Sequence, residues 1–182
     1  MRSKFILVAT IFLLSACIGA GENSVMQPVK QGYFPQLQGI DLLGEDRAIP
    51  ETFAGQLNIV AVAFKREQQS DVDPWISVAL DIMQDDETVR FYELPVIYEA
   101  SATFRAWVNN GMRSGIADIA ARERTITIYT NREAFLEEMN MTLDRITLLL
   151  LDNRGKILWR SDGSATKQKV IDLKAKIQDY KI

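Results

Sequence analysis

The chain contains one cysteine, Cys17, and no histidine among 182 residues, so it lacks most of the side chains that carry thiol, imidazole and soft-metal chemistry near neutral pH. Without imidazole, a Ser-His-Asp relay, a zinc hydrolase and a copper carrier all lose their usual parts. Carboxylates remain. Asp71 and Asp73 precede an apolar helical pattern and Asp85, Asp86 and Glu87 follow it, and either set could be drawn as a divalent-cation site or an acid/base pair. The plainer reading makes Asp71 or Asp73 a helix cap and the later run a solvated exit loop, because calcium takes about 6–8 oxygens and no EF-hand spacing occurs. Lys65, Arg66 and Gln68 follow an apolar run, and an arginine in such a loop can grip a carboxylate or a phosphate. The competing reading is a loop of solvated charges. Trp75 and Trp107 fall on apolar helical faces and are expected in the core, whereas Trp159, beside Arg160 at the end of a hairpin, is expected to be partly exposed. Gly111 and Gly115 have neither P-loop nor dinucleotide spacing. No catalytic residue, metal or cofactor is expected.

Bulk composition narrows the partners. The formal net charge is −3, and without Arg2 and Lys4 the remaining 19 basic and 24 acidic residues give −5. Phosphate backbones demand a basic surface, so nucleic acid is disfavoured. Docking to anionic lipid by charge alone is disfavoured for the same reason. With 47% hydrophobic and 25% charged residues the chain is expected to fold around one core.

The N-terminus offers an address. Arg2 and Lys4 precede an apolar run from Phe5 to Leu14, followed by Leu14-Ser15-Ala16-Cys17. The run is shorter than the roughly 20 residues that span a bilayer. Small residues before a cysteine suit a peptidase that cuts in front of the thiol. This segment resembles a bacterial lipoprotein signal. The resemblance implies that Cys17 becomes the first residue, carrying a diacylglycerol on sulfur and often an acyl chain, such as palmitate, on its amino group. Two or three chains anchor stably where one does so marginally. Ile18, rather than aspartate, would follow, which implies the outer membrane if the source is Gram-negative. A secretory signal cut after Ala20, or an uncleaved anchor, remains the alternative. Removing sixteen residues leaves 166. Gly19, Gly21, Asn23, Ser24 and Pro28 then read as a tether, giving a signal at 1–16, a lipidated cysteine and tether at 17–33, and a domain at 34–182.

Within that domain, Phe34 to Gly55 is a sparse apolar series punctuated by glycine and proline, which fits a lead-in hairpin. Leu57 to Phe64 reads as a central strand buried on both faces. Asp71-Val72-Asp73-Pro74 predicts a helix start, with proline first inside and Trp75, Val78, Ala79, Ile82 and Met83 on one side. Val89 to Ile97 is strand-like, with pairing expected to loosen at Pro95. Phe104, Trp107, Val108, Gly111 and Met112 mark a second helix, with a further turn over 116–121. Thr125 to Tyr129 alternates as a strand, and Asn131 to Met139 is expected to cap and form a short helix. Ile146 to Leu151 and Lys156 to Trp159, joined at Asp152-Asn153-Arg154-Gly155, form a hairpin, and Val170, Leu173, Ile177 and Tyr180 line a last helix. This order predicts an α/β domain with one mixed sheet and helices on both faces.

That order is similar to the thioredoxin-like superfamily, a three-layer sandwich. Phe34-Pro35-x-Leu37-x-Gly39 through Ile49-Pro50, Phe53 and Gly55 resembles the opening segment of peroxiredoxin-like and thiol-disulfide oxidoreductase domains. Leu150-Leu151-Asp152-x-x-Gly155-Lys156-Ile157 with Gly163 resembles their last hairpin. Phe64-Lys65-Arg66, Val72, Trp75, Ile157-x-Trp159 and Ala165-Thr166 are also similar to mitochondrial ATP synthase assembly factors of this fold. In redox members the resemblance places a cysteine at the start of the first helix, where the helix dipole favours thiolate, and a cis-proline before the third main strand. Here Lys65 to Asp73 holds no cysteine, and Arg122-Glu123-Arg124 precedes Thr125 with no proline. The expected function is therefore that of a lipid-anchored, redox-inactive, protein-binding accessory or assembly factor of the cell envelope. Its partner would be met by Lys65, Arg66 and Gln68. The alternative is an enzyme, either of redoxin type borrowing a partner's thiol or a carboxylate- and metal-dependent hydrolase around Asp71 and Asp73.

Overall fold

Leu57–Ala63 is buried at every position, as a continuous apolar run requires when a strand is covered on both faces. Among the described residues it is the third of seven strands. The computed structural model describes residues 32–180, so the expected signal, Cys17 and all but the last two residues of the expected tether lie outside the described residues. The elements are β1 (Leu37–Asp41), β2 (Asp46–Ile49), β3 (Leu57–Ala63), α1 (Gln69–Asp85), β4 (Val89–Tyr98), α2 (Ala102–Gly115), α3 (Ile119–Arg124), β5 (Ile126–Thr130), α4 (Arg132–Glu138), β6 (Thr147–Asp152), β7 (Ile157–Asp162) and α5 (Lys167–Tyr180).

One mixed sheet runs in the order β2-β1-β5-β4-β3-β6-β7. β4 pairs in parallel with both β3 and β5, and the remaining pairings are antiparallel. Strand alternation sorts the apolar residues onto two faces. Ile59, Ala61, Val89 and Phe91 lie under Val72, Trp75 and Ala79 of α1 and Leu173 and Ile177 of α5. Val60, Val62, Leu94, Val96 and Ile128 face Phe34, Phe53 and Phe135, the last from α4. Each fully buried side chain of this kind contributes about 1.5–3 kcal/mol. The expected α/β architecture with helices on both faces is present.

Two local features differ from expectation or refine it. α1 begins at Gln69, five residues before Pro74, and Gln68 supplies no side-chain cap. A 3-10 turn over Arg66–Gln68 runs straight into the helix, so neither Asp71 nor Asp73 stands at its N-cap. Pro74 therefore lies inside the helix and has no N–H for the carbonyl four residues earlier. At Pro95 the pairing of β4 changes hands: the β3 ladder ends at Ala63 opposite Pro95, and the regular β5 ladder begins at Val96 opposite Ile128.

The lead-in hairpin is fixed by Asp41. Its buried carboxylate accepts the N–H groups of Leu43, Gly44 and Glu45, each at 2.9 Å, and both Arg47 donors at 2.9 and 2.7 Å. At the opposite edge Asp152 accepts from the N–H groups of Arg154 (2.8 Å) and Lys156 (2.9 Å), and Gly155 takes φ +78°. A side chain at Gly155 would meet both that left-handed backbone and the Pro50 ring.

Candidate functional site

β4 places alternate residues Val89, Phe91, Glu93, Pro95 and Ile97 toward the α1 face of the sheet. The first two are roofed by α1, but at Glu93 the roof ends and a cleft of about 860 Å³ opens between α1, α2 and α3. The neighbours of Glu93 across the sheet are small: Ala61 pairs with it on β3, and Thr125 bridges to it on the other side. They leave its carboxyl on the floor of the cleft.

Glu93 is only 8% exposed. Burial, reinforced by the negative charge of Asp73, pushes its carboxyl up to about 7, against the opposing pull of Arg124 and a hydrogen bond from Gln69. The Gln69 amide links two carboxylates, since its Nε2 also donates to Asp73 Oδ1 at 2.9 Å. Among the described residues Glu93 forms no ion pair. The nearby Arg124 lies instead 3.8 Å from Asp118, which caps α3 by accepting the N–H groups of Ala120 and Ala121 at 3.2 Å each.

The far wall is α2. Its apolar stripe was expected to face the core, yet the only buried residue of the helix is Asn109, and Trp107 is 72% exposed. Val108 and Met112 line the cleft together with Trp107. Besides the Phe104 ring, which stacks on Tyr98 of β4 with centroids 5.7 Å apart, the helix is tied down by polar groups. Tyr129 Oη donates to Asn109 Oδ1 at 2.9 Å, Arg105 lies 4.9 Å over the Tyr129 ring, and Arg113 Nε donates to the Leu42 carbonyl at 2.7 Å. Arg122 adds a strap from α3, donating to the carbonyls of Ile116 (2.6 Å) and Arg113 (3.1 Å). Of the other tryptophans, Trp75 is fully buried and meets Trp159 edge-on with centroids 6.2 Å apart. Trp159 is half-buried, and Trp107 is the exposed one.

Lys65 and Arg66 are exposed at the cleft mouth, on the turn between β3 and α1. Gln68, expected beside them at a partner surface, is 5% exposed. Its Oε1 accepts the N–H groups of Phe64 (2.8 Å) and Lys65 (3.1 Å), and its Nε2 donates to the Leu143 carbonyl at 3.0 Å. It acts as a strut under the turn, and the correction follows from those three bonds. Asp71 is not among the cleft residues, so it does not pair with Asp73 there; the acid that joins Asp73 is Glu93. Among the described residues no three potential ligand side chains gather as a metal site. Cys17 lies outside them.

Sequence reasoning missed Glu93, Gln69, Arg124 and Thr125. A signal existed for the first: a charge at the third inward position of an otherwise apolar strand face is a buried acid unless the cover has ended.

No protein-family model matches the chain, and no curated protein matches it. Solved structures do. The copper-bound ScoI of Arabidopsis thaliana superposes with a TM-score of 0.54 at 10% identity, over 80% of this chain and 98% of that one. The thioredoxin domain of a thiol-disulfide oxidoreductase from Bacteroides vulgatus superposes with a TM-score of 0.50 at 15% identity, over 82% and 98%. At such identities the likeness speaks for architecture alone, and together with the mixed sheet and its flanking helices it identifies this chain as having the thioredoxin-like fold.

Proposed function

We propose that this chain is a membrane-anchored, thioredoxin-like accessory or assembly factor of the cell envelope that binds a protein partner in the α1–α2–α3 cleft and performs no thiol chemistry of its own. One observation carries the reading: the start of α1, where the resemblance would place a thiol, offers Lys65, Arg66, Gln69 and Asp73, faced by the exposed ring of Trp107. A charged mouth beside an exposed aromatic anchor is the chemistry of an interface. The anchor is Cys17, acylated after removal of residues 1–16.

The cleft does not fit copper, which the ScoI structure carries. Its donors are carboxylates, amides and one thioether, Met112, with neither thiolate nor imidazole. A second reading, a carboxylate acid–base enzyme, draws on Glu93 at about 7 beside Asp73. Turnover of an ester or glycoside panel, lost in Asp73→Asn, would establish it in place of the binding role.

A photo-crosslinking residue at position 107 of the full chain, expressed in membranes, tests the proposal. The expected result is one discrete protein adduct that falls at least tenfold when Lys65 and Arg66 are both changed to Glu. Reduction of disulfides or consumption of peroxide by the full chain carrying Cys17→Ser, which has no thiol, would overturn it.

A further inference from the structure

The position of Glu93 is costly for a fold to keep. Val89 and Phe91 precede it on the same strand face, and a leucine at its register would extend the core, whereas an acid buried without a cation is penalised. Among the described residues no cation forms an ion pair with it, although the charge of Arg124 partly offsets its burial. From α1, Asp73 adds a second negative charge and Gln69 contributes a neutral amide. From α3, Arg124 is drawn to Asp118. β3 and β5 contribute Ala61 and Thr125, and the Thr125 hydroxyl is engaged with the Ala121 carbonyl at 2.8 Å. Lys65 and Arg66 stand exposed at the mouth. The α2 wall contributes Val108, Met112 and the Trp107 ring, an apolar surface and no cation.

We infer that Glu93 makes this cleft a receptor for one basic side chain, lysine or arginine, presented by the partner protein, with the charge against Glu93 and Asp73 and the aliphatic stem along α2. A long stem leaves the partner's backbone at the mouth and sends only its charge to the floor. The inference rests on the protein-binding reading and specifies what that partner must offer. It also carries a pH signature. The cation favours ionised Glu93, which sits at about 7, so affinity rises with pH. Between pH 6 and 8 the ionised fraction, and with it the affinity, grows about tenfold.

The test is a titration of the full chain in detergent micelles with N-acetyl-Ala-Arg-Ala-amide, read by the backbone amide shifts of Glu93, Val96 and Thr125. The control peptide carries citrulline, which keeps the shape of arginine and removes its charge. Expected are saturable shifts with the arginine peptide, at least tenfold weaker binding of the citrulline peptide at pH 8, and the tenfold rise from pH 6 to 8. Glu93→Gln abolishes the rise and weakens the preference at pH 8 at least threefold, Asp73 retaining the remainder. Should that variant fail to fold, Asp73→Asn serves instead: removal of the neighbouring charge moves the midpoint of the pH rise downward. Equal binding of the two peptides, or an unchanged pH rise in either variant, would overturn the inference. A wild-type level of adduct from position 107 in the Glu93→Gln chain would sink it while sparing the partner reading. Arginine selectivity without any membrane adduct would do the reverse.

Discussion

At the scale of single residues, Glu93 couples the cleft to folding stability as well as to binding. The group ionises near 4.5 in an exposed chain and near 7 in the folded one. Below about 4.5 both states are protonated, so the group adds no difference. Between the two values the unfolded chain has lost its proton while the folded chain keeps it, and stability therefore falls as pH rises, by about 1.4 kcal/mol per unit. Above about 7 both states are ionised and the loss levels off near ~3 kcal/mol. Glu93→Gln removes this dependence. Urea unfolding at pH 5 and pH 8 should show the variant gaining about 2 kcal/mol relative to wild type at the higher pH. Parallel pH profiles for the two proteins would show that Glu93 does not titrate this way. Gln68 lies a few residues from the same mouth and illustrates the opposite case: a polar side chain that looked available for recognition is consumed by two backbone donors and one distant carbonyl.

At the scale of elements, α2 is the unusual part, since a helix held by hydrogen bonds, a cation–π contact and one ring stack on the exposed Tyr98 opens more readily than one held by a buried stripe. Tyr129→Phe removes the Oη bonds to Asn109 and to the Arg105 carbonyl, the latter at 3.3 Å, and leaves the buried Asn109 amide oxygen short of a donor. The expected cost is about 1–2 kcal/mol. Amide exchange across 102–115 should accelerate at least tenfold with β3 and β6 unchanged; uniform acceleration throughout the fold would instead mean that α2 is integral to the core. The same helix shows where the chain is legible and where it is not. β3 and β6 could be read directly, because burial on both faces writes an uninterrupted apolar run, and the β6–β7 turn could be read from Asp152 and Gly155. Periodicity also revealed the stripe of α2, but periodicity says only that residues share a side, not whether that side meets a sheet or a cleft. The start of α1 was hidden because Gln68 closes its turn partly through Leu143, a contact 75 residues away. Glu93 is not legible in the hydrophobic content of its strand, because its meaning depends on where the cover of α1 stops.

At the scale of the whole molecule, the proposed anchor and the proposed cleft divide the chemistry between them. Cys17 is the sole sulfur nucleophile in the chain, so a sulfur committed to lipid leaves residues 18–182 with no thiol. With the proposed leader removed the charge would be −5, which opposes adsorption to anionic lipid, so the proposed attachment would have to come from acyl chains, at about 0.8 kcal/mol per buried methylene. Two consequences can be measured on one sample. Cells fed an alkyne-bearing palmitate should label the wild-type chain, and its intact mass should correspond to a polypeptide beginning at Cys17 plus lipid. Cys17→Ser should be neither labelled nor shortened at that site, because the peptidase proposed to cut there acts on the modified cysteine. An unlabelled product beginning at Gly21 would instead mark an ordinary secretory signal cut after Ala20. Cys17 would then be removed with the leader and the folded body released from the membrane, so the cleft would have to find its partner by diffusion rather than by sharing a surface with it.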